Sequence, residues 1–357
     1  MKKENSNNIE SIDSFMKKKK KKFKHPQLVK VLKTFILFVL FQLVFIPILS
    51  IILIFYGPFT NTRDMIVTTA MTTMRHQYFA TLFLSDEKIN EILDKNRPEE
   101  KLAEQEIENI EVKQNVDDGI DVVDVSSNTF KGYMMIVNDP SRVKVATAPR
   151  IGKVGSTTSQ IIDTYGAIAG INAGGFNNDA YGTGGSISGV VIQDGKLMSD
   201  DIKGTFRTVG LDDQNRMIVS NSMTYSKMKQ LKLKNAVTFG PVLIINGRPT
   251  IRSGDGGWGI QPRTAIGQRK DGTILMLVID GRQKGSIGAT LKTTQDIFLQ
   301  YDAYNAFNLD GGNSTTMVYN SKLVNKPCDV LGERYVPSAF IVTKPGQKVN
   351  INDKKIK

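Results

Sequence analysis

Apolar positions fall along this chain in three regimes. From Phe35 to Tyr56, twenty-two residues run without a charge. As a helix rising about 1.5 Å per residue, that run spans roughly 33 Å, enough for the hydrocarbon core of a bilayer. Residues 61–84 mix Met, Thr and aromatics and suit a short helix lying near the outer surface. Asp86 to Glu111 carries ten acids and four bases with Ile, Leu and Ala irregularly spaced, the composition of a solvated helical stalk acting as a spacer. Beyond Gly119 the pattern becomes short apolar runs separated by turn residues, which predict strands.

The strands expected lie at residues 121–125, 133–137, 167–171, 189–192, 208–211, 242–245, 274–279, 306–309 and 316–319. The clearest helical spacing is at 291–304, where Ile297, Tyr301 and Tyr304 fall at i, i+4 and i+7, and Thr293 with Asp296 has the spacing of a capping box. Strand, helix and strand over 274–309 make a β-α-β unit, and such a crossover runs its two strands parallel. The fold class expected is α+β, a mixed sheet with a β-α-β unit in one globular head, preceded by a single transmembrane helix and a helical stalk. The expected boundaries are a basic cytoplasmic segment at 1–34, the span at 35–56, a juxtamembrane segment and acidic stalk at 57–117, the head at 118–343 and a basic tail at 344–357.

A net charge of +12 would ordinarily raise nucleic acid as a partner. Its location argues otherwise. Residues 1–34 hold eleven Lys against three acids, including the unbroken run from Lys17 to Lys22, and carry +8; the other 323 residues carry +4, scattered. The same Lys excess places the N-terminus in the cytoplasm and the C-terminal domain outside, as a single-pass protein of the plasma membrane. A cleaved signal peptide needs a shorter apolar region and a small-residue cleavage site, whereas Gly57-Pro58-Phe59-Thr60 follows here, so an uncleaved anchor is expected. Pro47 inside the span is expected to kink it locally. Cys328 is the sole cysteine, which excludes an intramolecular disulfide or a thiolate cluster. His25 and His76 both precede the head, which argues against a Ser-His-Asp triad or a His-ligated metal within it.

Two carboxylates stand out. Asp280 follows the 274–279 strand in Asp280-Gly281-Arg282, and Asp310 follows the next strand in Asp310-Gly311-Gly312-Asn313-Ser314. Parallel strands bring both to one sheet edge, at about 4.8 Å for neighbouring strands or about 10 Å for next-but-one strands, so the pair suits the two sides of one scissile bond. A third strand end has the same form, Asn172-Ala173-Gly174-Gly175-Phe176-Asn177. Its glycines would let the backbone approach a ligand with N–H groups turned towards a phosphate or sugar oxygen. Neither the P-loop spacing nor G-x-G-x-x-G occurs in this segment. Between them lies Gln261-Pro262-Arg263-Thr264, whose arginine offers planar donors for a phosphate or, equally, a structural pair with Asp280 or Asp310.

Taken in order, Asn172 to Phe176, Gly240-Pro241-Val242, Arg263 to Gly267, Asp280 to Arg282 and Asn308 to Thr315 resemble the phosphodiester glycosidase family over about residues 120–343. The family often has a third glycine where this chain has Asn313. The resemblance implies hydrolysis that releases a sugar from a sugar-1-phosphate diester in a polysaccharide or cell-envelope glycan. Asp280, Asp310 and Arg263 are the expected catalytic residues. Asn172, Gly174, Gly175, Phe176, Thr264, Arg282, Gly311, Gly312, Asn313 and Ser314 are expected at the substrate. Breaking the anomeric C–O bond builds oxocarbenium character that a carboxylate can stabilise, and a cation holding the departing phosphate lets a histidine-free domain manage without a strong general acid. No cofactor is expected, with a divalent cation on the same carboxylates left open. The partners expected are an anionic or phosphodiester-linked glycan and the membrane, without nucleic acid. Two other functions stay open: a non-catalytic surface module binding anionic glycan, and a glycosyl-phosphate transferase in exopolysaccharide assembly.

Overall fold

A computed structural model of the protein describes residues 26–73, 76–113, 117–177, 183–199 and 202–347. The run Lys17 to Lys22, most of the basic segment expected at 1–34, and the tail beyond Gln347 lie outside those residues. The chain divides into two compact units at Thr60. The first contains α1 (Pro26–Tyr56), one helix of 31 residues. It begins nine residues before the charge-free run and takes in Lys30 and Lys33, with Pro26 at a first helical position where its missing N–H forfeits no bond. By length and composition it can cross a membrane, and Pro47 lies inside it without ending it.

The second unit opens with α2 (Thr60–Met71), which buries Asp64, Val67, Thr68 and Ala70. Its threonines hold the loop ahead of Arg263: Thr68 Oγ1 bonds Asp255, Thr69 Oγ1 accepts from Ile260 N at 3.1 Å, and Thr72 Oγ1 donates to Trp258 O at 3.2 Å. Next comes α3 (Asp86–Asn96), capped by Ser85 and acidic in its first turn, both favourable at a helix N-terminus. Ile89, Ile92 and Asn96 lie on one face and are buried. Gln105 continues the contact, donating to Met217 O at 2.7 Å and accepting from Val219 N at 2.8 Å. The acidic segment expected as a solvated stalk therefore packs on the head. Its few apolar side chains share one face, which a count of charges does not reveal.

Among the described residues the head forms three sheets of seven, five and five strands, with one two-stranded pair. The candidate site is positioned by β1 (Ala169–Asn172), β2 (Arg263–Arg269), β3 (Ile274–Ile279), α4 (Leu291–Gln300), β4 (Ala303–Asn308) and β5 (Met317–Tyr319). The seven-stranded sheet runs Ile120–Asp124, Gly132–Val137, β3, β2, β4, Val242–Ile245, Arg248–Pro249, and each neighbouring pair is antiparallel. The strands flanking the crossover helix, β3 and β4, run parallel as the β-α-β reading requires, with β2 inserted between them. All six residues of β3 are buried, which explains an apolar run without alternation. One face meets the other two sheets in a shared core that includes Ile266, Met276, Phe307, Ile171, Val209 and Phe340. The opposite face is covered by Leu291, Ile297 and Phe298 of α4.

The start of α4 differs from expectation. Thr290 is the cap, accepting from Thr293 N at 3.0 Å, so Thr293 stands three positions inside the helix. Asp296 instead takes Lys292 Nζ at 2.7 Å one turn away. The helix stops at Gln300, with Tyr301 as its C-cap, and Tyr304 already belongs to β4.

Candidate active site

Register brings the two Asp-Gly turns together. Ile279 pairs with Arg263 and Asn308 with Ala265, and Leu309 N donates to Thr264 O, so the chain leaves β3 and β4 at the level where β2 begins. Asp280 and Asp310 thus occupy one edge on next-but-one strands, a backbone separation of about 10 Å. Pro262 lies between. A Cβ on Gly281 would come within 2.7 Å of Pro262 N, and one on Gly311 within 2.7 Å of Pro262 O. Each aspartate is followed by glycine because the proline backbone occupies the space of a side chain. From a second sheet, Asn172 at the end of β1 donates Nδ2 to Asp310 O at 2.6 Å and accepts from Thr264 Oγ1 and Thr316 N. Asn172 and Thr264, both buried, therefore fasten the Asp310 turn to two strands.

The Asp310 carboxyl is the chemically distinctive group. Burial pushes its pKa up to about 6, against the hydrogen bond from Ser314, the charge of Arg334 and the Gly311 backbone, which pull the other way. Its Oδ2 is buried without a hydrogen-bond partner among the described residues. Four of the six buried side-chain atoms in that condition cluster in sequence here: Asn308 Oδ1, Asp310 Oδ2, Thr315 Oγ1 and Thr316 Oγ1. Orphaned polar atoms are rare in folded proteins, so their concentration in this turn marks a place where water or a ligand completes the bonding.

Asp280 and Arg263 already have partners within the fold. Asp280 is 5% exposed, and its carboxylate accepts from Asn325 Nδ2 at 2.8 Å and from Lys326 N at 3.1 and 3.2 Å. Burial raises its pKa while those bonds and the Lys326 charge lower it. Arg263 is 3% exposed. Its guanidinium donates to three carbonyls, Ala289 O at 2.9 Å, Trp258 O at 3.1 Å and Gly259 O at 2.6 Å. Burial lowers its pKa to about 9, opposed by the charge of Asp255 and assisted by that of Arg282. The structural pair with Asp280 or Asp310 does not form; carbonyls take the guanidinium instead.

Arg282 is an exposed cation at this edge, in the left-handed region at φ 57°. It donates to Asn313 Oδ1 at 2.9 Å and Gln261 Oε1 at 3.0 Å. Asn313 in turn donates to Asp329 Oδ2 at 3.0 Å, so its side chain is a relay that a glycine could not provide. Arg334 sits 5.1 Å from the centroid of the Phe176 ring, close enough for a cation–π contact, and its charge reaches Asp310. No sequence pattern marks Arg334, which lies in a loop far along the chain, or the Asn325 and Lys326 bonds. The glycine N–H groups expected to face a ligand are bonded within the fold: Gly174 to Ser338 Oγ, Gly175 to Thr238 O and Gly312 to Pro262 O. Gly175 is required by packing, since a Cβ there would lie 2.8 Å from the Phe239 ring. Among the described residues no group of three or more His, Cys, Asp or Glu side chains is placed to hold a metal ion.

Comparison with known proteins agrees with this architecture. Residues 165–343 match the family model for phosphodiester glycosidase. The SPbeta prophage-derived protein YomE of Bacillus subtilis (strain 168) is 29% identical over 187 residues, 50% of this chain and 28% of that protein. The N-acetylglucosamine-1-phosphodiester alpha-N-acetylglucosaminidase of Bos taurus is 40% identical over 70 residues, 20% of this chain and 13% of that enzyme. These matches therefore span well under two thirds of either relative. Among solved structures, the zebrafish N-acetylglucosamine-1-phosphodiester alpha-N-acetylglucosaminidase catalytic domain, auto-inhibited by pro-peptide, superposes with a TM-score of 0.54 at 20% identity, over 66% of this chain and 86% of that one. The head shares that fold.

Proposed function

The chain belongs to the phosphodiester glycosidase family, and on that premise we propose that it is a hydrolase releasing a sugar from a sugar-1-phosphate diester. Asp310 carries the proposal. Its carboxyl has an unpartnered buried oxygen and holds a proton to about pH 6, at the sheet edge where Arg282 is exposed. In the reaction, water adds to the anomeric carbon as the bond to the phosphate oxygen breaks. Asp310 gives its proton to the departing oxygen, and water returns one. Arg282, with Arg334 beside Phe176, holds the phosphate; a planar guanidinium matches two of its oxygens. Arg263 and Asp280 then act as positioning residues: Arg263 organises the loop at 258–259 and Asp280 holds the turn at 325–326.

We further place α1 as an uncleaved anchor with the head outside the cell, because the Lys excess precedes it. The activity is tested by incubating the purified full chain with a panel of sugar-1-phosphate diesters and assaying free sugar. Release by the wild type but not by Asp310→Asn supports the proposal; no release from any diester refutes it. Protease added to intact cells should remove the head, and a protected head would refute the orientation.

A further inference from the structure

We infer that the phosphate released carries a lipid chain, so that the substrate is a lipid-linked sugar phosphate. The inference rests on the hydrolase reading and names the substrate's other half. A cavity of about 430 Å³ is walled by Met65, Ile66 and Ala70 of α2, by Phe79, and by Ile260 and Ile287 of the head. That volume falls within the range of small-molecule sites. Ile260 and Ile287 lead directly to the exposed arginine. Arg282 donates its backbone N–H to Ile287 O at 3.2 Å, and its guanidinium bonds Gln261, the neighbour of Ile260. An anion held by Arg282 therefore stands beside an apolar wall. Phe79 and Ile287 are 50% and 52% exposed, so the wall remains open to solvent at its mouth.

Thr69, Thr73 and His76 also line the cavity, but its surface is mostly apolar. It suits an alkyl chain leaving the phosphate oxygen better than a polymer of sugars and phosphates. In sequence, only residues 57–59 separate the apolar helix α1 from α2, the helix that walls the cavity. A chain held at a bilayer by α1 would meet lipid phosphates there. The chemistry is the hydrolysis already described. Water oxygen joins the anomeric carbon, the bond from that carbon to the phosphate oxygen breaks, and sugar and alkyl phosphate monoester depart, with Asp310 passing the proton between them.

Glycosyl-1-phosphate esters of methanol and dodecanol, supplied to the full chain in nanodiscs, test the inference. Each buried methylene favours binding about fourfold, so the dodecyl ester should show kcat/KM at least about 30-fold above the methyl ester. Ile66→Ser and Phe79→Ser should remove most of that advantage while leaving the methyl ester unchanged, which also shows that the variants fold. Dodecyl phosphate carrying a photoreactive group at its chain end should label residues 65–73 and 76–79 and the segment around Ile287. Equal kcat/KM for the two esters, or label no denser at the cavity than over the rest of the head, overturns the lipid assignment. Hydrolysis of neither ester overturns the hydrolase reading instead, and label at the cavity would then still support a lipid-phosphate site.

Discussion

Arg282 donates from Nη1 to Oδ1 of Asn313 at 2.9 Å, joining the turn after β3 to the turn after β4 across the intervening β2. The arginine is exposed and both of its named bonds go to neutral amides, so its charge is available to an anion. Arg282→Ala should lower kcat/KM for a phosphodiester at least about a hundredfold, roughly 2.7 kcal/mol of transition-state stabilisation. Turnover of a nitrophenyl glycoside, which presents no phosphate, should fall less than tenfold. Equal losses on the two substrates would remove Arg282 from the phosphate.

Asp310 sets a pH dependence with a definite sign. Its pKa in the folded protein, about 6, lies above the ordinary carboxylate value. The folded state therefore binds its proton more tightly than the unfolded chain does, and the stability this gives is present in acid and lost as pH rises through about 6. A proton donor works only while protonated, so kcat/KM should fall with rising pH above about 6. Asp310→Asn should lower kcat at least about a hundredfold without lowering Tm at pH 8, because the amide cannot ionise. A rate that climbs through pH 6 would mean that Asp310 acts as the carboxylate.

Arg263 should behave in the opposite way from Arg282. It is buried among the carbonyls of Ala289, Trp258 and Gly259, and its removal leaves three acceptors without donors. Arg263→Ala should cost about 3–5 kcal/mol in urea unfolding, the scale for removing one member of a buried charged network. An unfolding midpoint close to wild type with activity abolished would restore Arg263 to the reacting centre.

These assignments show which parts of the site were legible in the sequence. The edge was: Asp280, Asp310 and Arg263 each adjoin a short apolar strand, and a β-α-β crossover puts two of those strand ends at one edge of the sheet, here with β2 between them. The roles were not, because a motif reports which side chain is present and not what has already taken its hydrogen bonds. Arg263 looks like a phosphate ligand until the three carbonyls around it are seen. Gly174 and Gly175 look like a cradle until their N–H groups are found on Ser338 and Thr238. Arg334 reaches Asp310 through a loop that no strand or helix pattern marks. The acidic segment is a related case: the ten acids of residues 86–111 conceal Ile89 and Ile92 on one buried face of α3.

Asp280→Asn separates positioning from proton transfer. The amide can still accept at one oxygen, but it sets an NH₂ group against a site where Asn325 Nδ2 and Lys326 N already donate. The segment at 325–326 should loosen, seen as faster exchange of the Lys326 amide proton, and Tm should fall. Because Asp280 acts through that segment, kcat should drop less than for Asp310→Asn, and the pH at which activity falls should stay near 6. Loss of that pH limb in Asp280→Asn would transfer the titrating role to Asp280.

Gly311→Ala tests the closeness of the two Asp-Gly turns without touching a charged group. At φ −112° the residue lies outside the left-handed region that favours glycine, so the main cost of alanine is one of space. The added methyl would stand 2.7 Å from Pro262 O, well inside contact, and a backbone atom cannot swing aside as a flexible side chain does. Overpacking of this kind costs about 1–3 kcal/mol. It should also displace Asp310, whose carbonyl is held by Asn172 at 2.6 Å and whose N–H donates to Ala173 O, so the strain falls on the Asp310 carboxyl. Gly152→Ala serves as the control, since no atom lies within 4 Å of its Cβ position although its φ of 85° carries a backbone penalty of its own. The expected result is that both variants lose stability while only Gly311→Ala loses kcat, by about tenfold or more. Full activity in Gly311→Ala would mean that the turn relaxes around Pro262 and that the spacing of the two aspartates is not what the reaction depends on.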